Sequence, residues 1–257
     1  MKPILNDHEP RPATCTNADG SSPFLFICEH ACNRIPESLD GLGLTHPDLN
    51  RHIAWDIGAL AVARLLADRL DAALIFQNYS RLVIDCNRNL RAESLVPAVS
   101  DGTVIPGNQD LSQAAVADRI EAIWKPLQNE IMNHLDQRAA DGRKTIIIPV
   151  HSFTPVLAGR ERPWQVGLLF HHDPSLAAAF QMILADRDAS LRIGMNQPYR
   201  VMDEEDQTIP VFGEQMGFRH VAVEIRQDLI SDVAGREKWG RSLASACHTY
   251  LTQHKED

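Results

Sequence analysis

The feature that most constrains this fold is a series of short, nearly continuous apolar runs, at residues 24–28, 73–77, 82–85, 145–151, 165–170 and 220–226, separated by longer amphipathic stretches. Runs without polar alternation belong to strands covered on both faces, and strands that alternate with helices build a parallel or mixed sheet. The pattern predicts a three-layer α/β/α sandwich around a mostly parallel or mixed central sheet.

The helices between the runs carry start signals. Thr45 is placed to cap a helix with Pro47 in its first turn and Asp48 at the capping-box position, and Ile53, Ile57, Leu60, Ala61 and Leu65 continue an apolar face to about Leu70. A second helix is predicted over residues 111–140 with a kink near Pro126, a third from Asp173-Pro174, and a fourth over residues 235–253. Residues 1–22, with Pro3, Pro10 and Pro12, read as an irregular arm, and residues 23–257 as one domain. Two stretches without helical or strand pattern, residues 91–110 and the acidic 202–210, are predicted to be loops covering a site.

The chain has 257 residues and a formal net charge of −9, with 25 basic residues scattered along it. No continuous cationic surface is available for a phosphate backbone, so nucleic acid is not an expected partner. No apolar run reaches the length of a membrane span or of a signal-peptide core, so the expectation is a cytoplasmic protein without membrane contact. The five cysteines, Cys15, Cys28, Cys32, Cys86 and Cys247, lack paired spacing and are read as small buried thiols.

Ligands of open α/β sheets bind beyond the carboxyl ends of strands, so polar groups placed where apolar runs stop are the candidates. The run 24–28 delivers Glu29-His30, and the run 145–151 ends on His151-Ser152-Phe153. Two imidazoles arriving from separate strands suit Zn²⁺, which in catalytic sites takes three protein ligands and leaves one position open. The run 82–85 delivers Asn87-Arg88, and a guanidinium there either grips a substrate carboxylate bidentately or makes a structural salt bridge to Asp85 or to a helix end. Glu224 interrupts an apolar run, where burial would raise its pKa and suit it to general-base work; a structural pair with Arg226 or Arg34 is the alternative.

These segments, in the order His30, Asp85-Cys86-Asn87-Arg88-Asn89, His151-Ser152-Phe153 and Glu224-Ile225-Arg226, resemble the zinc carboxypeptidase clan. With the opening from His30 to Pro36, the Trp55-Asp56-Ile57-Gly58 segment, Ser80 to Arg88 and the Gly102 to Gly107 loop, the chain more specifically resembles the N-formylglutamate amidohydrolase family.

That resemblance implies hydrolysis of a small acidic N-acyl, typically N-formyl, amino acid with a divalent metal, expected to be Zn²⁺, in amino-acid catabolism. It implies His30 and His151 as metal ligands, Glu224 as base and then acid, Asn87 and Arg88 as holders of the substrate carboxylate, and Arg81 beside the scissile carbonyl. Asp56 is the expected third ligand, with Glu29 and His52 as fallbacks, because the clan's glutamate position holds Asn33 here. The segment Glu224-Ile225-Arg226-Gln227-Asp228 departs from the family's late Glu-Ile-Asn-Arg pattern, which points to a changed acyl or amino-acid preference. A carboxypeptidase, a deacylase for larger acyl groups and an inactive ligand-binding scaffold are the alternatives.

Overall fold

The computed structural model describes residues 3–254. At its centre lies an eight-stranded sheet of β1 (Ala13–Thr16), β2 (Phe24–Cys28), β3 (Ala73–Gln77), β4 (Ile146–Phe153), β5 (Val166–Leu169), β6 (Ile193–Met195), β7 (Arg219–His220) and β8 (Ala222–Arg226). The spatial order is β1-β3-β2-β4-β8-β5-β6, and β7 also pairs with β4. The central strands β3, β2, β4 and β8 are parallel. β1 joins β3 and β5 joins β8 in antiparallel fashion, while β6 runs parallel to β5. The sheet is therefore mixed and mostly parallel.

Both faces are covered, which is why β2, β3 and β4 are buried at every residue. Successive side chains of β2 alternate between two cores. Phe24, Phe26 and Cys28 pack with helices α1 (Ala59–Leu70), α3 (Ser175–Arg187) and α4 (Val233–Gln253). Leu25 and Ile27 face the layer that holds Leu127, Ile131 and Leu135 of α2 (Lys125–Ala140). The three-layer α/β/α expectation holds. No helix among the described residues is long and apolar enough to cross a membrane.

Several local expectations are corrected. Thr45 does cap a helix through a reciprocal capping box with Asp48, but that helix spans only His46–Leu49. The chain then turns irregularly until Gly58, which starts α1 in the left-handed region at φ 84°. A Cβ on Gly58 would sit 2.4 Å from the Ile230 carbonyl oxygen, so close packing fixes this break. Asp56 thus precedes a helix and does not lie within one.

The run 82–85 is buried but forms a turn, not a strand. Asn108 Nδ2 donates to the Leu82 carbonyl at 2.8 Å and Arg119 Nη1 to the Val83 carbonyl at 2.9 Å, so side chains satisfy backbone groups that a ladder would otherwise satisfy. The long helix over 111–140 is Gln113–Arg119, a π-turn at Ile120–Trp124 and α2, so the interruption lies just ahead of Pro126. The lead-in read as irregular contributes edge strand β1. Cys28, Cys86 and Cys247 are buried free thiols, whereas Cys15 and Cys32 are half-buried.

Replacing Gly58 by alanine adds left-handed strain of about 1–2 kcal/mol and an overpacking cost of about 1–3 kcal/mol. Gly58→Ala is expected to lower the free energy of unfolding by at least about 2 kcal/mol in a denaturant titration; a change near zero would show that the turn carrying Asp56 does not depend on this contact.

Candidate metal centre

The parallel centre of the sheet brings three chain segments to one edge. His30 lies just beyond β2, His151 lies within β4, and Glu224 of β8 sits opposite His151 in the ladder register. Asp56 is drawn in from the adjoining turn, where its own N–H donates to the His30 carbonyl at 2.9 Å. His30, Asp56, His151 and Glu224 are each less than 7% exposed.

One ligand atom from each of His30, Asp56 and His151 lies within 4.8 Å of the other two. Asp56 Oδ2 is the shared point, 2.9 Å from His151 Nδ1 and 3.4 Å from His30 Nδ1. The Ser152 N–H also donates to this oxygen at 3.2 Å. Behind each imidazole stands another carboxylate: Asp85 Oδ1 is 2.7 Å from His30 Nε2, and Glu29 Oε2 is 3.4 Å from His151 Nε2. A carboxylate on the outer ring nitrogen of a ligating histidine fixes its tautomer and raises its basicity. Thr208 Oγ1 in turn donates to Glu29 Oε1.

Arg81 closes the ring of charges. Its Nη2 and Nε donate to Asp85 Oδ2 at 2.7 and 3.1 Å, and its Nη1 lies 3.5 Å from Asp56 Oδ1. Four carboxylates, from Glu29, Asp56, Asp85 and Glu224, thereby surround one guanidinium and two imidazoles.

This excess of negative charge governs the titration of the group. Burial and Arg81 oppose charge on His30, yet Asp85 and Asp56 raise its pKa. His151 is pushed up to about 10, with Glu29 and Asp56 overcoming burial. Against burial, His30 and His151 hold the Asp56 carboxyl far below the usual range, and Arg81 and His30 do the same for Asp85. Glu224 moves the other way, raised to about 7 by burial and by Asp56 against the opposing pull of His151. Glu224 Oε2 is buried without a hydrogen-bond partner, as are Glu29 Oε2 and His151 Nε2.

A divalent cation shared by His30, Asp56 and His151 would supply the missing positive charge with both imidazoles neutral, so the donor set fits a metal. The donors are two nitrogens and one carboxylate oxygen, a set that zinc accepts in catalytic sites.

The cluster lies in a cavity of about 590 Å³ that is also lined by Arg81, Asn87, Arg88, Tyr199, Arg200 and Glu224. All seven residues expected from the sequence at the site line this one cavity. Of the fallback ligands, Glu29 stands behind His151, and His52 lies away from the cluster, 3.3 Å from Asp101. Asn33 is also outside it, donating to the Leu49 carbonyl at 2.9 Å.

Arg226 pairs with Asp228 and not with Glu224. Arg88 does sit in an ion pair, as one of its two readings had it, but the partners are Asp206 and Glu205 and not Asp85. Both loops expected to cover a site do contribute, Ser94 from one and Met202, Glu205 and Asp206 from the other.

Sequence reasoning did not find Tyr199 and Arg200. They reach the cavity on the segment after β6, whose Ile-Gly-Met core is too short to stand out as a strand. Tyr199 accepts from Arg162 Nη1 at 2.8 Å, with that guanidinium 4.7 Å from its ring centre.

Among curated proteins, none matches the chain. The crystal structure of a gene product from Agrobacterium tumefaciens is 36% identical, with 98% of this chain and 100% of that chain covered and a TM-score of 0.94. The crystal structure of N-formylglutamate amidohydrolase from Ralstonia eutropha shares the fold at 18% identity, over 96% of this chain and 99% of that one, with a TM-score of 0.62. The family model for N-formylglutamate amidohydrolase matches residues 22–231, and with most of the chain so matched, the protein belongs to that family.

Proposed function

We propose that the protein is a metal-dependent amidohydrolase that cleaves the formyl group from an N-formyl amino acid bearing a carboxylate, with N-formylglutamate as the expected member, to give formate and the free amino acid. The observation that carries this reading is the buried convergence of His30, Asp56 and His151 beside an unpaired Glu224. Family membership supports the hydrolytic class.

His30, Asp56 and His151 would hold Zn²⁺, which supplies Lewis-acid charge for the acyl oxygen and for the attacking water. Glu224 takes a proton from that water, whose oxygen attacks the formyl carbon. The same carboxyl then returns the proton to the amide nitrogen as the carbon–nitrogen bond breaks. Arg81 is pinned by Asp85 before substrate arrives, so a donor aimed at the developing oxyanion needs no reorganisation during the reaction.

Asn87 and Arg88 hold the substrate carboxylate. Asn87 is oriented for this by accepting the Thr208 N–H at 3.1 Å through Oδ1, which leaves its amide nitrogen as the donor. Asp206 holds Arg88 through Nη1 alone, which leaves other N–H groups of the guanidinium for a substrate carboxylate. A cavity of about 590 Å³ lies within the range of sites that enclose drug-sized ligands, roughly 300–1,000 Å³. That volume favours, as a second reading, a deacylase for a larger acyl group on the same machinery.

Formate release from N-formylglutamate is expected to stop with chelator and to return with Zn²⁺; release of only longer acyl groups from a panel of N-acyl amino acids would select the second reading. Glu224→Gln should lower kcat by at least about 100-fold while bound metal, read by elemental analysis, is unchanged. Activity retained in that variant would remove Glu224 from the chemistry. Arg88→Ala should raise KM for N-formylglutamate by about tenfold or more, the loss of a charged hydrogen bond worth about 1.5–3 kcal/mol, with little effect on a neutral formamide. Equal losses on both substrates would contradict the anchoring role. Asp85→Asn should weaken metal binding about 10–100-fold; unchanged affinity in a chelator competition would show that His30 does not depend on its outer carboxylate.

A further inference from the structure

We propose that the chain carries a second divalent-cation site, of the zinc class, formed by His171, His172 and Asp203 beside the catalytic cavity. None of its donors belongs to the first cluster. One ligand atom from each residue lies within 4.8 Å of the other two.

His171 and His172 follow β5 after a single intervening residue, Phe170, and their ring centres are 3.8 Å apart. His171 Nε2 lies 3.0 Å from Asp203 Oδ2. That nitrogen is buried and makes no hydrogen bond, although the carboxylate oxygen is within reach. As it stands the contact is an ion pair, and opening it by about 0.4 Å gives the spacing of two ligands on one ion. Zinc bonds of about 2.0–2.2 Å put tetrahedral neighbours roughly 3.4 Å apart. Two imidazoles and a carboxylate are also the donor types that zinc takes. The turn that presents both histidines is fixed in advance, because Glu214 Oε1 accepts the His172 and Asp173 N–H groups at 2.7 and 3.0 Å.

Asp203 belongs to the acidic segment that reaches the cavity. On one side that segment is tied to the chain after the buried turn: Asn89 Nδ2 donates to the Asp203 carbonyl and the Asn89 N–H to the Glu205 carbonyl, each at 2.9 Å. Arg88 and Asp206 add an ion pair and an isolated bridge there. On the other side, the ion would tie Asp203 to the end of β5. It would thereby fasten the acidic segment across the cavity and hold Asp206 against Arg88.

Equilibrium dialysis against Zn²⁺ with elemental analysis tests the site on the full chain. The wild type should bind two equivalents, and His171→Ala/His172→Ala should bind one. Asp203→Asn, which preserves size and backbone, should show the same loss or a weakening of the second equivalent by at least about tenfold. Wild-type stoichiometry and affinity in both variants would overturn the proposal. The catalytic cluster is read separately by His30→Ala/His151→Ala, which should lose the other equivalent and keep the one at His171 and His172. Loss of both equivalents in the His171→Ala/His172→Ala variant with unchanged Tm would also overturn the proposal, because it would mean that these residues act through the first site.

Discussion

The candidate centre depends on one oxygen, Asp56 Oδ2, on which two imidazoles and a backbone N–H converge. Burying that many polar groups is unfavourable unless each is paired and the total charge is compensated. The outer carboxylates of Asp85 and Glu29, the guanidinium of Arg81 and the hydroxyl of Thr208 complete most of the pairing. What remains is an excess of negative charge that a divalent cation would largely offset. The same constraint explains Glu224: with the other carboxyls engaged, its own is left desolvated and raised to about 7, the range in which a carboxyl exchanges protons readily at neutral pH.

The sheet was legible because its strands are buried on both faces. The runs 24–28 and 73–77 coincide with β2 and β3 to the residue. Parallel order then dictated that His30, His151 and Glu224 meet at one edge, so histidines at separate strand ends were readable as one site. The turn at 82–85 was misread because hydropathy reports burial and not pairing; Asn108 and Arg119, far along the chain, decide how its carbonyls are satisfied. The break ahead of α1 was hidden for a similar reason, since the contact of Gly58 with Ile230 is made only in the folded chain. Strand β1 escaped notice because an edge strand with half-exposed residues shows little apolar signal.

The cavity rim depended most on tertiary context. Asn87 and Arg88 were found as a motif, but their engagement with Thr208 and Asp206 follows from how the acidic segment folds back. The pairing gives that segment a physical role: its carboxylates orient the guanidinium that the proposed substrate would use. The position of residues 202–206 therefore bears directly on how Arg88 is presented to the cavity. Tyr199 and Arg200, brought in after β6, add polar groups to the cavity lining.

The most direct test of the central claim is anomalous diffraction at the zinc edge from crystals of the active, zinc-loaded protein. The account predicts a strong peak shared by His30 Nδ1, His151 Nδ1 and the Asp56 carboxylate, with the Glu224 carboxylate facing it. A zinc-active protein without a peak at these three residues would contradict it.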